Sequence, residues 1–409
     1  MIAEIVTIGT EITTGSTLNT NTYYLSQKLF ELGIETHYHT TVDDDEERLK
    51  RVIEIALDRA DLIITTGGLG PTKDDMTKEV IAKALGLELE LDEEMKKKLQ
   101  DMFARTGRRM SKNNLKQALR PKGASFIEND NGTAPGIFIN KDNKKIIMLP
   151  GPPYEMNNMF EKHVKNLIGD ETVILSKSVN TVGIGESNLE SRLNELKLAT
   201  PNTTIATFAK GGTVEIKIIS KGTDRVRVQE EIDNIVGRLR EEFKDYIYGY
   251  DNINIEEVVV KMLIEKGKKI GLCESCTGGL VSSMITRVPG ASMVLDRAIV
   301  SYSNDAKVEE LGVNPSTLEK YGAVSEETAY EMAKGLLDRG KVDIVVSITG
   351  IAGPDGGSKE KPVGLVYLCV MTRDNHRVIK CNFNGNRQTI QTRTAIKALD
   401  EIRKVLINN

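Results

Sequence analysis

Apolar residues fall along this chain in two alternating patterns. Short, nearly uninterrupted runs, "AEIVTIG" at 3–9, "ADLIITTGG" at 60–68, "GIFIN" at 136–140 and "KKIIMLPG" at 144–151, have the length and β-branched content of buried strands. Between them, apolar positions recur every three or four residues. That spacing predicts a helix over about 21–32 that ends at Gly33, helical segments reaching about residue 119, and a last helix over 154–168. Strands alternating with helices predict a parallel sheet covered on both faces. This first domain is bounded at 1–169.

From 170 to 251 the rhythm changes to a strand, a helix, a hairpin-like "TTIATFAKGGTVEIKIIS" at 203–220 and a long charged helix over 224–243. This small α+β unit resembles KH-like or ferredoxin-like modules. The Gly-x-x-Gly loop with which KH domains clamp nucleic acid is missing, because the glycines of "KGGT" are adjacent. A spacer or dimerisation module is expected. From 252 to 409 the α/β order returns, with the helix "NIEEVVVKMLIEKG", a strand running into Ser275, the segment "RAIVSYSNDAK", a helix after Ser325 and the strand "VDIVVSITG". Two more strands, "VGLVYLCV" and "RVIKCNFN", precede a terminal helix from about Arg387. The predicted fold class is two α/β domains joined by a small α+β KH-like module.

A chain of 409 residues is long enough for three domains, each with its own apolar interior. A net charge of -4 gives no global attraction to nucleic acid or an anionic membrane, so neither is an expected partner. The opening "MIAEIVTIGTEI" has no basic flank, and no run approaches the roughly 18 apolar residues of a membrane span. A cytoplasmic location is expected. All four cysteines (Cys273, Cys276, Cys369 and Cys381) fall in the last third, which argues against a secreted disulfide framework. Only four histidines exist: His37, His39, His163 and His376.

In "TTGGLGPTKDDMT", Gly67, Gly68 and Gly70 let the backbone approach a ligand closely, and the helix that follows offers N–H groups to phosphate. Asp74 and Asp75 put two carboxylates beside that anion site, a combination that calls for a hard divalent cation between them. Ordinary turn glycines and helix-capping aspartates would give the same residues. Two more loops, "IGTEITTGSTLNTN" and "LPGPPYEM", lie at strand ends, where ligands of open α/β sheets collect.

The stretch "GLCESCTGGL" at 271–280 holds a Cys-x-x-Cys spacing with Ser275 inside it. A redox dithiol needs an exposed first cysteine at a helix start, whereas "KKIGLC" makes Cys273 a buried strand end, and structural zinc sites bring two close cysteine pairs. Ser275 reads either as a helix cap or as a nucleophile, with N–H groups near Thr277 and Gly278 at the expected helix start available to an oxyanion. The one histidine of this domain, His376, falls in an expected turn, which leaves lysine as the base. Lys307 follows the strand that presents Tyr302, though by pattern alone it reads as a surface helix residue.

The three N-terminal loops, "TGGLGPTKDD" foremost, resemble the MoaB and MogA type of molybdopterin-binding domain as it occurs in the CinA family. The ordered segments "ESCTGGL", "VSYSNDAK", "GAVSEET", "SITGIAGPDGG" and "KPVGLVY" resemble the carboxy-terminal domain of that family, which is similar to nicotinamide mononucleotide deamidases; the family more commonly has alanine where Cys273 stands. For the first domain the resemblance implies hydrolysis of ADP-ribose to AMP and ribose 5-phosphate. Gly67, Gly68, Gly70 and Thr72 would bind phosphate, with Asp74 and Asp75 holding Mg²⁺ or Co²⁺. For the third it implies cofactor-free deamidation of nicotinamide mononucleotide by Ser275 and Lys307. There Tyr302 would orient the lysine or pack on the pyridine, and Thr349, Gly350 and Gly353 would form a flexible loop for ribose or phosphate, with Arg387 pairing the phosphate. The middle module and the resemblance favour a homodimer. A nucleotide- or pterin-binding regulator of competence or DNA damage, binding without turnover, is the competing expectation.

Overall fold

A computed structural model describes residues 1–105, 107, 109–168 and 173–408. The expected boundary at 169–170 lies outside the described residues. Two compact units form, 1–175 with 221–228, and 176–220 with 229–409. Among the described residues no helix is long and apolar enough to cross a membrane.

The first unit is built on β1 (Ile2–Ile8), β2 (Glu35–Val42) and β3 (Leu62–Thr66), followed by a two-stranded ribbon of β4 (Leu89–Leu91) and β5 (Leu119–Pro121). Then come β6 (Ser125–Ile127), β7 (Gly136–Lys141) and β8 (Lys144–Leu149). The main sheet runs β2-β1-β3-β8-β7-β6. Its first four strands are parallel, but β7 pairs antiparallel with both β8 and β6, which corrects the expectation of a parallel sheet. The reason is local: β7 and β8 are joined by a turn at Asp142 and Asn143, both with positive φ, so no helix intervenes to make a crossover. Successive residues of β1 feed opposite cores, Ala3 and Ile5 one and Val6 and Ile8 the other. Burial on both faces explains why its apolar run hardly alternates.

The second unit opens with the small module. Strands β9 (Val173–Val182), β10 (Thr203–Lys210), β11 (Thr213–Gly222) and β12 (Ile247–Tyr250) form a sheet in the order β10-β11-β9-β12, with the helices Glu186–Leu196 and Arg225–Phe243. The remaining strands are β13 (Ile270–Glu274), β14 (Leu295–Val300), β15 (Ile344–Gly350), β16 (Leu365–Thr372) and β17 (His376–Asn382), arranged β14-β13-β15-β16-β17. The first three are parallel and the last two antiparallel. One face is covered by the helices Ile255–Glu265 and Arg387–Asn408, whose Val259, Leu263, Leu399 and Ile402 share a core with Leu272 and Val346. The other is covered by the helix Glu326–Arg339.

Candidate active sites

Parallel pairing of β13 and β14 brings their ends together. Glu274 is opposite Val300, and the Ser301 N–H donates to the Glu274 carbonyl at 2.9 Å, so the chain leaves both strands side by side at Ser275 and Ser301. The helix Asn304–Leu311 starts at once, capped by the Ser303 hydroxyl, which accepts from the Ala306 N–H at 3.1 Å. Helical side chains lean toward the N-terminus of their helix, and from the first turn Lys307 reaches back to the strand ends. Its Nζ lies 3.1 Å from Ser275 Oγ, 2.9 Å from the Ser301 carbonyl and 3.3 Å from the Tyr302 carbonyl. Lys307 is 1% exposed and Ser275 8%. The surface-helix reading of Lys307 is therefore wrong: the helix turns this side chain inward.

Among the described residues no carboxylate pairs with Lys307, and burial pushes its amine below the ordinary lysine value. A neutral amine has two N–H groups and one lone pair. In its neutral form the amine can give its two N–H groups to two of the three carbonyls around it, Ser301 at 2.9 Å, Tyr302 at 3.3 Å and Ser303 at 3.5 Å, and its lone pair to the Ser275 hydroxyl. His376 is at the far end of the sheet: it is opposite Met371, which is level through Val345 with Gly271 at the start of β13.

The serine loop departs from expectation in several respects. Its helix begins at Leu280, and Ser275 is not its cap. Glu274 does that work. Buried at the strand end, its carboxylate accepts from the N–H groups of Gly279, Val281 and Ser282 at 3.0, 3.1 and 2.8 Å. The Gly278 N–H closes a turn on the Ser275 carbonyl at 3.0 Å and is thereby removed as an oxyanion donor. Thr277 is different, for its N–H has no acceptor among the described residues and its buried hydroxyl has no partner. Glu274 escaped sequence reasoning, although a glutamate ending an apolar strand just before Ser-x-Thr-Gly-Gly was an available signal.

Tyr302 is 59% exposed, and its carbonyl rather than its ring touches the lysine amine. The phenol oxygen accepts from Arg387 Nη2 at 2.7 Å, while Arg387 Nη1 donates to the Gly353 carbonyl at 2.8 Å, so these three predicted residues do meet. Thr349 and Gly350 belong to β15 and not to a flexible loop, and the Thr349 hydroxyl donates to the Ala323 carbonyl at 2.6 Å. Strand pairing fixes both, leaving Gly353 alone in the loop. All four cysteines are free, and burial raises the Cys276 and Cys369 thiols to about 12, which makes them poor nucleophiles.

In the first unit, the loop after β3 borders a cavity of ≈ 400 Å³. Gly67 has φ +108, and a Cβ there would lie 2.1 Å from the Ile8 carbonyl oxygen; at Gly68, φ +68, it would meet the Thr77 hydroxyl at the same distance. Glycine is required at both. The Gly67 N–H is engaged by the Leu149 carbonyl, so its contribution to a phosphate is space. Asp75 Oδ2 accepts from both the N–H and the hydroxyl of Thr72, at 2.8 and 2.5 Å. This contact corrects the picture of Thr72 as a free phosphate donor and leaves Asp75 one oxygen for a cation. Five carboxylates line the cavity (Glu11, Asp44, Asp74, Asp75 and Glu155), and among the described residues no lysine or arginine does. Among the described residues no three metal-ligating side chains converge into a preformed cage.

These features describe a molybdopterin-binding type of domain followed by a KH-like module and a second α/β domain. Three family models match in that order: "Probable molybdopterin binding domain" over 4–170, "Damage-inducible protein CinA KH domain" over 176–249 and "CinA C-terminal domain" over 252–406. A "Putative competence-damage inducible protein" of Caldicellulosiruptor saccharolyticus is 46% identical over 410 residues, covering 100% of both chains. A protein of the same name from Thermoanaerobacter sp. (strain X514) is 48% identical over 100% of this chain and 99% of its own. The crystal structure of "competence/damage inducible protein CihA" from Agrobacterium tumefaciens is 40% identical, covers 38% of this chain and 97% of its own, and has a TM-score of 0.36. The chain belongs to the CinA family of competence-damage inducible proteins.

Proposed function

We propose that this chain is a cytoplasmic pyridine-nucleotide hydrolase whose C-terminal domain deamidates nicotinamide mononucleotide. The observation that carries the reading is the buried, carboxylate-free amine of Lys307 at 3.1 Å from Ser275 Oγ. The neutral amine takes the serine proton as Oγ attacks the carboxamide carbon, and the tetrahedral oxyanion accepts from the Thr277 N–H. The Lys307 ammonium returns the proton to the departing nitrogen, releasing ammonia and leaving an ester on Ser275. Water, deprotonated by Lys307, cleaves that ester to nicotinate mononucleotide. Arg387 keeps N–H groups for the nucleotide phosphate beyond those given to Tyr302 and Gly353.

The N-terminal cavity supports a second activity, hydrolysis of ADP-ribose to AMP and ribose 5-phosphate. Two of its carboxylates accept from neutral donors, Asp44 from the Thr10 N–H at 2.9 Å and Glu155 from the Asn129 amide at 2.6 Å. A pyrophosphate would be repelled by such a lining without a cation, and a Mg²⁺ that retains waters and phosphate ligands needs only one or two carboxylates. The donor set fits a divalent ion held by Asp74 and Asp75, which supplies neutralisation of phosphate oxygens and an activated water. Gly67 and Gly68 give the phosphates room, and Thr72 holds Asp75 in place. A homodimer completes the reading. Product assays test it: ammonia from nicotinamide mononucleotide, and AMP from ADP-ribose with Mg²⁺ or Co²⁺, are expected. Saturable binding of both without product identifies a sensor instead.

A further inference from the structure

Gln391 stands one turn into the terminal helix, and its Nε2 donates to the Cys276 carbonyl at 2.8 Å. That carbonyl belongs to the central peptide of the turn closed by the Gly278 N–H on the Ser275 carbonyl. In such a four-residue turn the orientation of the central peptide is the softest coordinate, since rotating it interconverts types I and II. A trans peptide is planar, with its C=O and N–H pointing opposite ways. Whatever grips the Cys276 carbonyl therefore aims the Thr277 N–H, the donor that has no acceptor among the described residues.

We propose that Gln391 is a positioning residue for the amide hydrolysis: by holding the Cys276 carbonyl it points the Thr277 N–H at the oxyanion formed when Ser275 attacks. The inference rests on the amidase reading above. Other contacts make the grip rigid at both ends. On the turn side, a β-branched residue at Thr277 resists the positive φ that the flipped turn demands. A Cβ added to Gly350 would sit 3.1 Å from Cys276 Sγ, so the residue carrying the gripped carbonyl is packed closely against β15. On the helix side, the β10–β11 hairpin tip lies on the turn after Gln391: a Cβ at Gly212 would be 3.5 Å from both Arg393 Cα and Ile396 Cβ. The small module thereby seats the helix that carries the grip.

The test uses the full chain and nicotinamide mononucleotide. An oxyanion donor is worth roughly 10²–10³ in kcat, so one that is present but misaimed costs about tenfold. Gln391→Leu is expected to lose about tenfold in kcat with KM within about twofold of wild type. Gln391→Glu, which keeps the shape but cannot donate when ionised, is expected to lose more. Both should keep the wild-type melting temperature, and Gln391→Leu, which adds no charge near Lys307, should keep the wild-type pH midpoint as well. Wild-type kcat in both variants overturns the proposal, as does a loss carried in KM or in melting temperature. Ser275→Ala, run alongside, separates the two levels: if it stays active the amidase reading itself fails, whereas an inactive Ser275→Ala beside fully active Gln391 variants removes only the positioning role.

Discussion

In the C-terminal sheet, the strand ending at Glu274 delivers a serine to a buried amine 3.1 Å away. In the N-terminal sheet, the strand ending at Thr66 delivers glycines and carboxylates to a cavity that no cationic side chain lines among the described residues. Both loops leave the carboxyl ends of parallel strands, where open α/β sheets gather ligands. The contrast is in completeness. A nucleophile and base must be desolvated and prealigned to react at neutral pH, so their geometry persists without substrate. A pyrophosphate site can instead be anionic at rest and be finished by the cation that arrives with its ligand.

Substitutions that touch one region and spare the other are the sharpest way to break this comparison. Lys307→Met keeps the bulk of the buried chain but removes the base, and ammonia release from nicotinamide mononucleotide should fall by about a thousandfold or more. AMP formation from ADP-ribose by the same variant should match wild type. Asp75→Ala removes one of the two carboxylates proposed to hold the cation and frees Thr72; AMP formation is expected to drop by more than the roughly 10- to 100-fold cost of disturbing a metal's supporting shell, with ammonia release unchanged. Loss of both activities in either variant would mean that the regions are not independent.

A smaller effect sharpens the same contrast. In the proposed mechanism the neutral form of Lys307 is the active one, and burial lowers its pKa, so kcat/KM for deamidation should rise about tenfold per pH unit on the acid side and level off below the ordinary lysine value. Measured between pH 5 and about 9, a flat profile would contradict an amine base.

Local pattern made much of this visible from the residues alone. Strands buried on both faces and glycine-punctuated loops were open to the sequence because each depends on spacing, whereas the pairing of Ser275 with Lys307 came from the family resemblance, the residues alone leaving a helix cap and a surface lysine as readings. The antiparallel half of the first sheet was not open to the sequence, since a strand's direction depends on whether a turn or a helix joins it to its neighbour. Nor were Glu274 and Gln391, whose roles arise only when a strand end meets a helix start or when a residue 115 positions away returns to the loop. Tyr302 and Thr349 make contacts that sequence cannot assign: the Tyr302 carbonyl touches the Lys307 amine, and the Thr349 hydroxyl donates to the Ala323 carbonyl.

The central claim is that Ser275 is the nucleophile of an amide hydrolase. Comparing ammonia release from nicotinamide mononucleotide by the wild-type chain and by Ser275→Ala, with equal melting temperatures as the control for folding, tests it most directly. The account predicts steady ammonia release from the wild type and none above background from the variant; a variant that releases ammonia at the wild-type rate would contradict it.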